Sequence, residues 1–244
     1  MTMLRRTIVR VSVFALLCVL AMVAGLHIRQ RFLRSRAEHL LRDIKQLELR
    51  KSNWDDAQRI FTRWGAWGHY DDLCVSSSCN YRIEFDNTFA KWPRLTPWVH
   101  RAYDFVGVRM GMVSANVAVR DGLVWGKGFG LYVESPLKSG TNASLSVRYT
   151  LIGISESASR LFISSRRARQ LALHPEYIVT EPSGCTMCEA VFVRFTPWAD
   201  PSDVARLMDF NLTCLTSRKP CREQGDIMPS AWRQHLAETK DTGD

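Results

Sequence analysis

"GMVSANVAVRDGLVWGKGFGLYVES", residues 111–135, decides the fold. Apolar residues alternate with polar or small ones along two runs, the period of a half-buried strand. The runs meet at Asp121-Gly122, a pair suited to the positive backbone angles of a two-residue hairpin turn. "YRIEFD" (81–86) precedes this hairpin, and "SLSVRYTLIGIS" (144–155) and "EAVFVRF" (189–195) follow it as further strand candidates. Helical patterns are expected at "PWVHRAYDFVGV" (97–108), "SASRLFISSRRARQLAL" (157–173) and "PSDVARLMDF" (201–210). The economical fold is α+β, an antiparallel sheet with helices packed on one face. It is assigned to residues 67–236, with 237–244 as a disordered tail.

The N-terminus reads differently. In "RRTIVRVSVFALLCVLAMVAGLHIRQRFLRSR" (5–36), Val11 to Leu26 carry no charge. Adding Ile8 and Val9, with Arg10 snorkelling, gives the ~20 residues that cross the hydrocarbon. Residues 1–28 are therefore expected to be an uncleaved signal-anchor that contacts the lipid bilayer through residues 8–28. A cleaved signal peptide ending at Gly25 is the competing reading, disfavoured by the lack of an Ala-x-Ala site and by the arginines that follow. Arg5, Arg6, Arg10 and the amino terminus before the span balance Arg29, Arg31, Arg34 and Arg36 after it, so charge alone does not orient the chain.

Residues 29–66 are expected to form a helical stalk or hairpin. Leu33, Ala37, Leu40, Ile44 and Leu47 recur at helical spacing. That stripe suits either a stalk packed on its own domain, the preferred reading, or the seam of a homodimer. Ser52 with Asp55 then reads as the N-cap of a second helix, "NWDDAQRIFTRW".

The net charge of +9 is unevenly distributed: residues 1–51 hold 11 Lys and Arg against 3 Asp and Glu, and residues 52–244 hold 22 against 21. A nucleic-acid binder would carry its excess on the folded face, so nucleic acid is not an expected partner. A basic field beside an apolar span suits lipid headgroups.

Cys18 lies inside the span. The other six cysteines fall as three local doublets, Cys74 and Cys79, Cys185 and Cys188, Cys214 and Cys221. An even number in such turn-like stretches is the pattern of disulfides in an oxidising compartment, with connectivity left open. The expected localisation is a single-pass membrane protein, its N-terminus cytoplasmic and its C-terminal domain periplasmic or extracellular. Cys185-Thr186-Met187-Cys188 has the spacing of a thiol-disulfide or thiolate-metal centre, a minority reading because no second knuckle or histidine pair accompanies it.

The chemistry beyond this is sparse. Trp64, Trp67 and Tyr70 in "RWGAWGHY" form a candidate platform for a carbohydrate or cell-wall ligand, although tryptophans more often fill cores. His69 beside Asp71 and Asp72 is explained as well by a polar loop. "GKGFG" (126–130) lacks the ending of a phosphate loop, and the "RLTPW" and "RFTPW" echo (94–98, 194–198) is too short for a duplication, each Thr-Pro reading instead as a helix entry. No catalytic residues, metal or cofactor are assigned. The expected function is a membrane-anchored, extracytoplasmic binding or envelope-assembly protein.

Overall fold

A computed structural model describes residues 2–70, 73–87, 105–136, 147–157, 176–180, 188–217, 221 and 224–241. The chain opens with one uninterrupted helix, α1 (Thr2–Gln46). Its first half holds an apolar window of which only 6% is buried, so it is long and apolar enough to cross a membrane and is not a core helix. Its second half is the reverse. Leu26, Gln30, Leu33, Ala37, Leu40, Leu41 and Ile44 are buried under the folded domain.

A short turn leads to α2 (Trp54–Trp64), which buries Ala57, Ile60, Phe61 and Trp64. Its N-cap is Asn53, one residue beyond the expected Ser52. The Asn53 side chain accepts from the Asp56 amide, and Asp56 accepts from the Asn53 amide in return. Reciprocal capping satisfies two otherwise orphaned donors, and that requires Asn53 and Asp56 at this spacing.

Among the described residues seven strands follow: β1 (Gly68–Tyr70), β2 (Ser78–Asp86), β3 (Gly111–Arg120), β4 (Leu123–Pro136), β5 (Val147–Ser157), β6 (Glu176–Thr180) and β7 (Cys188–Phe195). They form one sheet in the order β1-β2-β3-β4-β5-β7-β6. The first five strands are successive antiparallel neighbours. The sheet is not antiparallel throughout, because β7 pairs parallel to β5 and β6 sits outside it on the edge. The hairpin turns at Asp121 (φ 51°) and Gly122 (φ 76°), so both central residues adopt the left-handed conformation of a type I′ turn. The register shifts between Ala118 and Val119, leaving Trp125 as the extra residue of a bulge.

Alternation along β2 and β3 sorts the two faces. Cys79, Tyr81, Ile83 and Phe85 with Val113, Ala115, Val117 and Val119 point into the core. The α1 and α2 helices pack on this face, together with α3 (Pro201–Leu207), a 3-10 turn (Leu212–Leu215), α4 (Gln224–Ile227) and α5 (Pro229–Asp241), whose apolar residues join one cluster. Phe61 stacks on Tyr81 at 4.1 Å between centroids. The Tyr81 ring approaches Gly68 so closely that a β-carbon there would overlap it.

Three further expectations change. The stripe Leu33, Ala37, Leu40, Ile44, Leu47 is buried within one chain, so it has no free surface to offer a homodimer. Thr196-Pro197 does not start a helix: α3 begins at Pro201 with Asp200 as its cap, because that carboxylate accepts from the Ser202 amide. The backbone of α5 continues through Ala237 to Asp241, where a disordered tail was expected. Helix candidates 97–104 and 158–173 lie outside the described residues.

Candidate functional site

The predicted platform residues do not share a surface. Trp64 is a core residue at 4% exposure, stacked on Phe85 at 5.8 Å with 8° between the ring planes. Its indole N–H donates to Asp43 Oδ2 at 2.8 Å, and Asp43, itself buried, also accepts from Arg63 Nη1 at 2.7 Å. Trp67 is half-buried with the Arg36 guanidinium 4.6 Å over its ring. Tyr70 alone is well exposed, at 58%. Trp64 is therefore withheld from the surface, which only Tyr70 and part of Trp67 reach.

Two of the cysteine doublets lie at disulfide distance. Cys74 and Cys79 join with 4.3 Å between α-carbons, and Cys214 and Cys221 with 5.1 Å. Each closes a loop that supports a neighbouring element. Between Cys74 and Cys79, the carbonyls of Ser76 and Ser77 accept from the amides of Gly122 and Asp121, backing the hairpin turn. Cys214 lies in the 3-10 turn that covers α1. Cys185 and the side chain of Cys188 lie outside the described residues, so the thiol-centre reading has no geometry to draw on. Cys18 is a free thiol on the exposed first half of α1. Among the described residues, no three His, Cys, Asp or Glu side chains converge to hold a metal.

Among the described residues, two concave surfaces stand out. The first, about 440 Å³, lies where the end of α1 meets α3 and is lined by Lys45, Glu48, Lys51 and Lys127 above Pro197, Val204 and Met208. The buried Lys127 ammonium donates to the Leu47 carbonyl. Burial lowers the Lys45 pKa, partly opposed by Asp209, and the hydrogen bond and charge of Lys51 lower that of Glu48. Glu48 is engaged by Lys51 at 2.6 Å, so the charges at the rim of this pocket are in part already paired.

The second, about 410 Å³, is a shallow depression on the outer face of the sheet, where Asn80, Arg82, Glu84, Ser114, Asn116 and Ala118 of β2 and β3 line up. Arg82 and Glu84 lie 3.8 Å apart there, half-exposed. Alternation places these side chains, polar except for Ala118, opposite the core, giving a shallow hydrogen-bonding surface. Alternation in "YRIEFD" and "GMVSANVAVR" is the signal by which the sequence identifies this face. Its concavity depends on which strands adjoin, which the sequence does not state.

Compared with known proteins, the chain matches no family model, no curated protein and no solved structure.

Proposed function

We propose that this chain is a single-span membrane protein that holds a disulfide-stapled α+β binding or envelope-assembly domain outside the cytoplasm, with its N-terminus inside. The observation that carries this reading is α1 itself. One helix is lipid-compatible and unburied over its first half, then buried beneath a folded domain over its second. Two cysteine pairs at disulfide distance in the domain support an oxidising compartment for it, and with that the N-inside orientation on which the arginine count is silent. The polar outer face of β2 and β3 is the surface we assign to a partner. It offers donors and acceptors on a rigid sheet rather than an enclosed catalytic pocket.

Topology tests this first. Cys18→Ser/Arg120→Cys, expressed in its host, should react with a membrane-impermeant maleimide in intact cells. Labelling only after lysis places the domain in the cytoplasm and overturns the reading. A photo-crosslinking residue at Asn116 should then give a discrete adduct that the same residue at Arg59, on the exposed face of α2, does not give. Identical patterns at both positions would remove the sheet face from consideration.

A further inference from the structure

We propose that the folded domain rests directly on the bilayer, the end of the sheet where β3 begins lying in the phospholipid headgroup layer. This rests on the anchored reading above. A hydrocarbon core about 30 Å thick takes about 20 helical residues. Counted from just after Arg6 it ends at Leu26, and counted from just after Arg10 it ends at Gln30. The domain begins to bury α1 at these same two residues. No spacer separates lipid from fold.

The sheet is aligned with the helix. Leu33 packs against Gly111 at the start of β3, and the Leu47 carbonyl accepts from Lys127, the β4 partner of Val117. The helical rise from Leu33 to Gln46, the last residue of α1 and the neighbour of Leu47, is about 20 Å and matches the strand rise from Gly111 to Val117, about 20 Å. β3 therefore runs alongside α1, away from the membrane. Strands β4 and β5 extend three residues beyond the Gly111–Val133 pair, to Pro136 opposite Val147. That extension of about 10 Å equals the rise from Leu33 back to Leu26, so it reaches the edge of the hydrocarbon.

The side chains at this end suit lipid. Ile28 and Phe32, one turn apart on α1, remain 53% and 58% exposed just where the domain begins. Phe105, six residues before β3, is 93% exposed. Arg31 is exposed beside Phe32, at the level of the phosphates. Aromatic and aliphatic side chains with arginine between them are the composition that binds an interface.

The experiment uses the full chain with Cys18→Ser in nanodiscs of phosphatidylcholine and phosphatidylglycerol. Single cysteines at Phe32→Cys, Phe105→Cys or Arg120→Cys carry an environment-sensitive fluorophore, and the Cys18→Ser parent is the labelling blank. Lipids spin-labelled near the headgroup should remove about half the emission from positions 32 and 105 and leave position 120, about 30 Å further along β3, unchanged. Intact disulfides on a non-reducing gel show that each variant is folded. Quenching at 32 with none at 105 overturns the resting domain and leaves the anchor standing. No quenching at any position, with release of the chain by alkaline carbonate, overturns both.

Discussion

Gln30 donates its side-chain amide to the main-chain carbonyl of Leu215, joining the helix that leaves the apolar span to the 3-10 turn closed by Cys214–Cys221. Gln30 is 2% exposed, so neither group has water as a substitute partner. Arg34 adds a second bond between the same elements, to Thr216 Oγ1 at 2.8 Å. Gln30→Ala should cost about 1–3 kcal/mol, the penalty for leaving a buried carbonyl unsatisfied. Urea unfolding of the detergent-solubilised chain measures it. A change within error would mean that water reaches Leu215.

Asp43 and Trp64 form the second such link, between α1 and α2. Asp43→Ala should lose about 1–3 kcal/mol, because the buried indole N–H is stranded. Asp43→Asn, which keeps an acceptor, should lose less. In a Trp64→Phe background the Asp43→Ala penalty should shrink, and a double-mutant cycle reads that coupling. Strict additivity would count against the bond.

The Cys74–Cys79 loop supplies the carbonyls that accept from the hairpin turn. Replacing both cysteines with serine should cost about 2 kcal/mol by chain entropy for so short a loop. The amides of Asp121 and Gly122 should then exchange with solvent faster than those at the centre of β3, by hydrogen exchange. Uniform acceleration along β3 would show that the loop supports the whole sheet.

Gly122 adopts a φ of 76° that side chains with a β-carbon rarely adopt. Gly122→Val should cost about 1–2 kcal/mol in thermal unfolding, and Asp121→Asn should be nearly neutral, since Asn tolerates the left-handed region.

The caps set the acid limit. Ser202 holds the Asp200 carboxyl below its ordinary value through its hydroxyl and amide. The Asn53 amide, and after it Arg59, does the same for Asp56. A carboxyl depressed in the folded state stabilises above its unfolded pKa, and that contribution is lost as pH falls through the folded one. Stability should therefore decline from about pH 4 downward. Asp56→Asn with Asp200→Asn keeps both side-chain acceptors but removes their protonation, so the melting temperature should fall less steeply with acid. An unchanged slope would place the acid sensitivity elsewhere.

The sheet was legible where pairing is local. Asp121-Gly122 and the alternation around it specify β3 and β4 because turn and register are both encoded within 25 residues. The parallel pairing of β5 with β7, and the placing of β6 outside them, join segments far apart in sequence, and no local period records it. The helical stripe was legible from Leu33 onward. It extends back through Gln30 to Leu26 at the same four- and three-residue steps, but a glutamine looks like solvent-facing surface until Leu215 is placed against it. Trp64 misled for the complementary reason: an aromatic cluster reads as a platform until Phe85 covers its ring and Asp43 takes its N–H.

The absence of any break between Gly25 and Leu33 in α1 has a mechanical consequence. Each residue of an α-helix turns the next by about 100°. The buried positions from Leu26 to Ile44 fix the domain's azimuth on that helix as a key fixes a wheel on a shaft. A rotation or tilt imposed on the span is therefore delivered to the sheet without slack. One residue inserted between Arg10 and Gly25 would swing the polar face of β2 and β3 about a quarter-turn around the axis, leaving every contact within the domain intact.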